Sequence, residues 1–395
     1  MKRIYLDHAA TTPMAEEVKQ AMDNYFVKEF GNPGSFNYFG LKAKQALADA
    51  RLKVSQILNC SPSEIIFTGS GTESINLAIQ GLAKKFKGKK NHIITTKIEH
   101  HAVLDTCKYL EKEGFNVTYL DVDRYGVPDL EQLQRSITEQ TFLITIMYAN
   151  NEIGTILPVK EISKIARENN IIFHTDACQA AGYLDIDVQS LGVDMLTLNG
   201  SKIYGPKGVG VLYKKSSVNI DPIIYGGGQE FGLRSGTENV PCIVGFAKAL
   251  ELVQASREQE VSRLLKLSKK LIKGLTQIPD TILNGHPEKR LPNNVNITFL
   301  NVEGEAVLVF LDEQGIAAAS GSACTSKSLE PSHVILATGM PYEAAHGSIR
   351  FSLGKSTTEE DIDKVIEVMP KIIERLRLMS PVKLTLKDVM EEIEK

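Results

Sequence analysis

At 395 residues the chain exceeds the usual length of one domain, so two lobes with separate cores are expected. Apolar residues at 43% and charged residues at 24% fit a globular protein in water, and a formal net charge of -3 offers no electrostatic footprint for direct nucleic-acid binding. No apolar run is long enough to span a bilayer, and the opening Met1-Lys-Arg-Ile-Tyr-Leu-Asp-His8 carries no secretory pattern, so no membrane association and a cytoplasmic location are expected. The five cysteines Cys60, Cys107, Cys178, Cys242 and Cys324 are scattered and form no CxxC pair, which argues against a disulfide framework and against a closed zinc site.

In chain order, apolar and β-branched runs occur at Ile65-Ile-Phe, His92-Ile-Ile-Thr-Thr, Phe142 to Met147, Ile171-Ile-Phe-His, Met195-Leu-Thr-Leu and Val209-Gly-Val-Leu-Tyr. Helical patterns lie between them at Ser74 to Phe86, Val103 to Glu113 and Val159 to Asn169. This alternation predicts an α/β fold with a mostly parallel sheet covered on both faces, and such sheets collect ligands beyond the carboxyl ends of their strands. From about Asn239 the pattern becomes one long helical stretch to Leu271-Ile-Lys-Gly, and the domain boundary is expected within it. The charged tail from Val382 to Lys395 reads as a surface helix.

Chemistry first surfaces at Ile66-Phe-Thr-Gly-Ser-Gly-Thr-Glu-Ser74, where a strand feeds a glycine turn and a helix start that can cradle a phosphate with the Thr72 hydroxyl. Ser74 stands where the dinucleotide fingerprint needs glycine, and a purely structural turn is the other reading. Glu99-His100-His101 follows a strand, so one imidazole can stack on an aromatic ligand or relay protons, or can simply be a satisfied structural group. Asp176 closes the run Ile171-Ile-Phe-His-Thr-Asp176. A carboxylate there can keep a pyridine nitrogen protonated, with Gln179 a helical turn on, or it can cap a helix beginning near Cys178.

Lys202 ends the next apolar run, directly after Asn199-Gly-Ser201, whose polar groups can also bind phosphate. A desolvated lysine near a cationic ring has a lowered pKa and attacks carbonyls; Lys207, in Gly-Pro-Lys-Gly, is its rival in a turn that favours exposure. Cys324 sits among small polar residues in Ala318-Ala-Ser-Gly-Ser-Ala-Cys-Thr-Ser326, a setting for a thiol that travels. Together Lys202, Asp176 and Cys324 point to pyridoxal phosphate chemistry finished by a thiol.

Ten motifs stand in order along almost the whole chain. They are Tyr5-Leu-Asp-His-Ala-Ala-Thr-Thr-Pro13, Gly31-Asn-Pro33, Gly71-Thr-Glu-Ser74, Glu99-His100, Asn150-Asn-Glu-Ile-Gly154, Asp176 with Gln179, Ser201-Lys-Ile-Tyr-Gly-Pro-Lys-Gly208, Arg234-Ser-Gly-Thr237, Ser320-Gly-Ser-Ala-Cys-Thr325 and Arg350-Phe-Ser-Leu-Gly354. In these the chain resembles the NifS/IscS-type cysteine desulfurases, fold type I pyridoxal phosphate enzymes of the class V aminotransferases.

The resemblance implies a large cofactor domain over residues 13–250 with a seven-stranded sheet between helices. Residues 1–12 and 251–395 would form a smaller α+β domain carrying the cysteine loop. It implies that Lys202 bonds to the cofactor aldehyde, that His100 stacks on the ring and takes part in catalysis, and that Asp176 and Gln179 engage ring nitrogen and phenolate oxygen. Gly71, Thr72, Asn199 and Ser201 would surround the phosphate end, with Thr237 supplied across a homodimer interface. Asn151 would touch the cofactor and, with Arg350, hold the substrate carboxylate.

L-cysteine would become L-alanine, with the sulfur held as a persulfide on Cys324 for an iron-sulfur scaffold, a tRNA-thiolation relay or another acceptor. No resident metal is implied. Asn37 and Ser201 stand where relatives carry histidine. An ordinary class V aminotransferase, a selenocysteine lyase, and a docking scaffold that lends Cys324 to a partner's iron-sulfur cluster are the rivals, and Cys324 separates the desulfurase from the aminotransferase.

Overall fold

The computed structural model describes residues 3–321 and 330–393. A seven-stranded sheet organises the first two thirds of the chain. Its spatial order is Ile65–Thr68, Gly210–Lys214, Met195–Asn199, Ile172–Asp176, Thr141–Thr145, His92–Thr96 and Asn116–Leu120. Neighbours run parallel except Gly210–Lys214, which is antiparallel to both of its partners. The expected α/β class and mostly parallel sheet are therefore present.

Alternation along the strands decides what each residue meets. Ile66, Ile93, Leu143, Met195 and Leu212 pack into one apolar cluster with Ile75, Leu77 and Leu82 of the Gly71–Phe86 helix. Their chain neighbours Ile65, Ile94, Ile144, Leu196 and Val211 enter a second cluster with Ile162 and Ala166 of the Val159–Glu168 helix. Burial on both faces is why these strands read as near-continuous apolar runs, each side chain contributing about 2 kcal/mol.

A separate core gathers Ile4, Leu6, Leu264, Leu271, Ile297, Phe351 and Ile362. It is built on a three-stranded antiparallel sheet ordered Ser348–Ser352, Asn294–Phe299, Thr281–Leu283, backed by the helices Arg257–Leu275 and Glu359–Met379. The N-terminal Ile4–Tyr5 strand pairs in parallel with Ile316–Ala317, which draws the start of the chain to this side.

Three local expectations are corrected. The long helical stretch after Asn239 is two helices, Val240–Ala255 and Arg257–Leu275, separated at Ser256, whose hydroxyl donates back to the Leu252 carbonyl at 2.8 Å. The segment after Asp176 forms turns, and the next helix begins only at Val188. The tail is a packed element: Val389 of the Leu386–Ile393 helix is buried in the main cluster, and Asn301 brackets Leu384 with bonds of 2.7 and 2.9 Å to its amide and carbonyl.

Candidate active site

Because the parallel strands share one direction, Thr68, Thr96, Thr145, Asp176 and Asn199 all end on the same edge of the sheet. A cavity of about 250 Å³ opens there. Gly71, Thr72, His100, Asn151, Asp176, Gln179, Asn199, Lys202 and Arg350 all line it. Cavities of about 710 and 800 Å³ elsewhere hold no comparable set of groups: the first mixes Lys85, Lys89, Arg167 and Asp194 with aliphatic residues, and the second mixes Ile278, Ile366 and Ile373 with Glu374, Arg377 and Lys383.

The phosphate end is shaped by close approach. At Gly71, the first residue of its helix, a Cβ would stand 2.9 Å from Cys178 Sγ and 3.2 Å from Asn199 Cβ, so only glycine leaves the space free. At Gly210 a Cβ would strike the Ser70 carbonyl at 2.5 Å, which lets the antiparallel strand pass directly behind the turn. Ser70 caps the helix by accepting from the Glu73 amide at 3.1 Å, leaving the amides of the first turn without intrahelical acceptors. Such a helix start suits an anion.

Across the floor, the Asp176 carboxylate is buried and accepts one bond, from the Cys178 amide at 2.9 Å. The capping reading of Asp176 is thus half met: Oδ1 caps a turn while the side chain lines the cavity. Below it on the same strand, His174 is buried between the Thr145 and Thr197 hydroxyls at 2.8 and 3.0 Å, and burial pushes its pKa down to about 4.

His100 lies at the opposite wall. Its Nδ1 accepts from the Ala102 amide at 3.1 Å, which places the neutral ring's proton on Nε2. Burial lowers its pKa, with the Lys202 and His101 charges acting in the same direction. Lys202 Nζ donates to the Ala9 carbonyl at 2.9 Å and to the Ala10 carbonyl, and burial, then the Arg350 charge, hold its pKa below the ordinary lysine range. Lys207 is exposed, as its turn predicted.

Arg350 is delivered by the antiparallel sheet of the second core and is 2% exposed. One terminal nitrogen pairs with Asp7 at 2.8 Å, the other donates to the Asn151 carbonyl at 3.2 Å, and Nε is buried without a partner among the described residues. The guanidinium fork is thus held in place by groups from two distant stretches of chain.

Not every expected residue converges. Ser201 does not line the cavity; it is bound to Asn199 Oδ1 through its amide at 3.3 Å, and its carbonyl accepts from Thr12. Gln179 lines the cavity but donates to the Ala9 carbonyl at 3.0 Å. Thr237 is exposed and away from this cavity, and Cys324 lies outside the described residues. Asn37 has a structural task, capping the Tyr38–Leu58 helix through the Gly40 amide at 3.0 Å. Sequence reasoning missed Ala9, Ala10, Met147 and Cys178 as lining residues, and Asp7 as the partner of Arg350.

A buried carboxylate, an aromatic imidazole, a desolvated amine and a helix start floored by glycine fit pyridoxal phosphate. The chain matches the aminotransferase class-V family over residues 4–365 and belongs to it. That membership implies pyridoxal phosphate as cofactor. Among its relatives, "Cysteine desulfurase IscS" of Methanosarcina thermophila is 53% identical over 96% of this chain and 94% of its own length. "Cysteine desulfurase IscS" of Clostridium botulinum (strain Hall) is 52% identical over 96% of each. Of solved structures, a "NIFS-LIKE PROTEIN" superposes with a TM-score of 0.89 at 40% identity, covering 95% of this chain and 100% of that one, and "SspA in complex with cysteine" with 0.79 at 39%, covering 89% and 99%.

Proposed function

We infer that this chain is a pyridoxal-phosphate-dependent cysteine desulfurase that converts L-cysteine to L-alanine and keeps the sulfur as a persulfide on Cys324. The observation that carries it is the convergence of Lys202, Asp176, His100 and Arg350 on one cavity with a glycine-floored helix start. The names of the relatives supply the reaction, and the neighbour in complex with cysteine supports the substrate.

Lys202 would hold the cofactor covalently, Asp176 would face its ring nitrogen, His100 its ring face and the Gly71-Thr72 helix start its phosphate. Bound there, pyridoxal phosphate supplies an electron sink that makes loss of the substrate's Cα proton feasible. The residues do the rest. Lys202, its pKa lowered, presents a larger uncharged fraction at neutral pH and serves as the base at Cα. Neutral His100 adds no cation beside it. Arg350, fixed by Asp7, orients the substrate carboxylate with Asn151.

The Cys324 thiolate then forms an S–S bond with the substrate sulfur as the Cβ–S bond breaks. That bond's electron pair stays on carbon and a proton completes the methyl group, so cysteine plus thiol gives alanine plus persulfide with no external oxidant.

Residues 13–250 would form the cofactor domain, and residues 1–12 with 251–395 the smaller one, a division supported by the separate core that takes in Ile4 and Leu6. A homodimer is supported by large aromatic side chains left uncovered, Phe36 at 99%, Tyr38 at 68% and Tyr225 at 72% exposed. Exposed Thr237 is free to reach a partner's phosphate site. Among the described residues no helix is long and apolar enough to cross a membrane, and a cytoplasmic enzyme serving an iron-sulfur scaffold or another sulfur acceptor follows from this reading.

Protein loaded with pyridoxal phosphate and given L-cysteine should release alanine and sulfide, and without reductant should carry one extra sulfur mass on the Cys324 peptide. Amino transfer to a keto acid with no sulfur on Cys324 would replace this reading with the aminotransferase.

A further inference from the structure

Arg290 is a cation that the chemistry above does not use. It is 6% exposed, and although burial pushes its pKa down to about 10 it stays charged at neutral pH. Burying a charge without a counterion is costly. Yet among the described residues all its bonds go to amide oxygens: Nε to the Asn294 carbonyl at 3.2 Å, Nη1 to the Asn284 carbonyl at 3.3 Å, and Nη2 to the Ile153 carbonyl at 3.2 Å and Asn294 Oδ1 at 3.4 Å. The fork thus joins the Asn294–Phe299 strand of the second core to the loop that carries Asn151.

That loop satisfies its amides from within, because Asn150 Oδ1 accepts from the Glu152 and Ile153 amides at 2.8 and 3.0 Å. Its carbonyls are treated differently: among the described residues no backbone amide reaches the carbonyl of Asn151, Glu152 or Ile153. Side chains of the second core take that place. Asn294 Nδ2 donates to the Asn151 carbonyl at 3.4 Å and to the Glu152 carbonyl at 3.1 Å, Asn296 Nδ2 donates to the Glu152 carbonyl at 3.0 Å, and Arg290 serves Ile153. Arg350 is the other donor to the Asn151 carbonyl. Gly154, at φ +77°, lets Asn294 come this close, since a Cβ there would stand 2.8 Å from the Asn294 side chain. Buried carbonyls demand partners, so the side chains that supply them decide how the Asn151 peptide is turned.

We propose that Asn294, held by Arg290, is a positioning residue for the substrate carboxylate: it fixes the Asn151 peptide against Arg350 and so sets the spacing of the two groups that receive that carboxylate. This rests on the desulfurase reading only where an amino-acid carboxylate meets Arg350 and Asn151. Cofactor binding by Lys202, Asp176 and the Gly71-Thr72 helix start needs neither Asn294 nor Arg290.

The test uses holoenzyme carrying Asn294→Leu, which keeps the side chain's bulk and leaves each carbonyl one partner: Arg350 at Asn151, Asn296 at Glu152 and Arg290 at Ile153. The fold should therefore stand. Arg290→Lys is the second variant, since one ammonium cannot hold Asn294 and Ile153 as the planar fork does. The absorbance change of the bound cofactor is titrated with L-cysteine and with cysteamine, the same amine and thiol without the carboxylate. Wild type should respond to L-cysteine at lower concentration than to cysteamine. Each variant should need about tenfold more L-cysteine for half the change, with its response to cysteamine unaltered. Asn294→Leu weakening both responses alike, or neither, would overturn the positioning role and leave the desulfurase reading standing. Arg290→Lys with a wild-type response to L-cysteine would overturn the part assigned to Arg290. A wild type with no preference for L-cysteine would mean that Arg350 meets no carboxylate, which overturns this inference with it. A wild type that prefers L-cysteine yet transfers no sulfur to Cys324 would overturn the desulfurase reading alone and leave the carboxylate site, and this inference, in place.

Discussion

The two halves of the site are built from different kinds of structure. Asp176, Asn199 and Lys202 sit at or just beyond the ends of strands locked into a seven-stranded ladder, with His100 one loop away. Arg350 comes instead from the antiparallel sheet of the other core, and Cys324 lies outside the described residues. Groups that must keep one geometry are on the ladder, where a displaced side chain would break buried packing. In the desulfurase reading the Cys324 thiol has a different task, meeting both the substrate and an acceptor. The comparison teaches that removing a ladder group should damage every step, whereas removing the thiol should damage only the last.

Lys202→Ala should therefore give the largest effect, about a 10⁴-fold loss of turnover, because both the covalent hold on the cofactor and the base at Cα disappear. Borohydride reduction of wild type should fix the cofactor mass on the Lys202 peptide; mass on Lys207 instead would move the site off the ladder. Cys324→Ser should cost about 10³-fold in alanine release yet leave the absorbance change on cysteine addition intact. If that change is lost as well, the two halves are not separable. Asp176→Ala should retain some cofactor and lose turnover several hundredfold, about 3.5 kcal/mol; near-wild-type turnover would reduce Asp176 to the cap of its turn.

The ladder also carries a pH signature. His174 has a folded pKa of about 4 against an ordinary 6.5, so between those values the unfolded chain binds a proton that the native chain refuses. Stability should fall as pH falls through that window, by about 3 kcal/mol in all, and be fully present above it. Urea midpoints measured from pH 7 to 4 should drop less steeply for His174→Gln than for wild type. Equal slopes would mean that another group governs acid unfolding.

What the sequence revealed follows the same divide. Lys202 and Asp176 were legible because an apolar run fixes where a strand ends, and a charged group there stands out chemically. Ala9 and Ala10 were not legible: they hold Lys202 through backbone carbonyls, to which residue type is silent. The Asp7–Arg350 pair spans 343 positions of sequence and leaves no local trace. The Asn116–Leu120 edge strand was passed over because one flank faces solvent and Asn116, Val117, Thr118 and Tyr119 stay partly exposed, so no continuous apolar run marks it. The break at Ser256 hides inside an unbroken helical pattern, since serine is tolerated in helices and only its bond back to Leu252 marks the change. Packing of Val389 depends on a groove that forms only when the fold is complete.

The smallest predicted effect tests whether the cofactor half is complete within one chain. Thr237 is exposed and does not line the cavity, although its motif implies a phosphate ligand. If it reaches the phosphate of a second copy, Thr237→Val removes one hydrogen bond of about 1 kcal/mol and weakens pyridoxal phosphate affinity about fivefold. The loss should appear only where the protein is dimeric, since a lone chain has no bond to lose. Cofactor binding followed by absorbance at protein concentrations above and below the dimer's dissociation midpoint separates the cases. Wild type should bind more tightly than Thr237→Val at high concentration, and the two should converge on dilution. A fivefold difference that persists in the monomer would place Thr237 in its own subunit's site. No difference at either concentration would leave the phosphate wholly to the Gly71-Thr72 helix start, making the ladder half of the site self-sufficient.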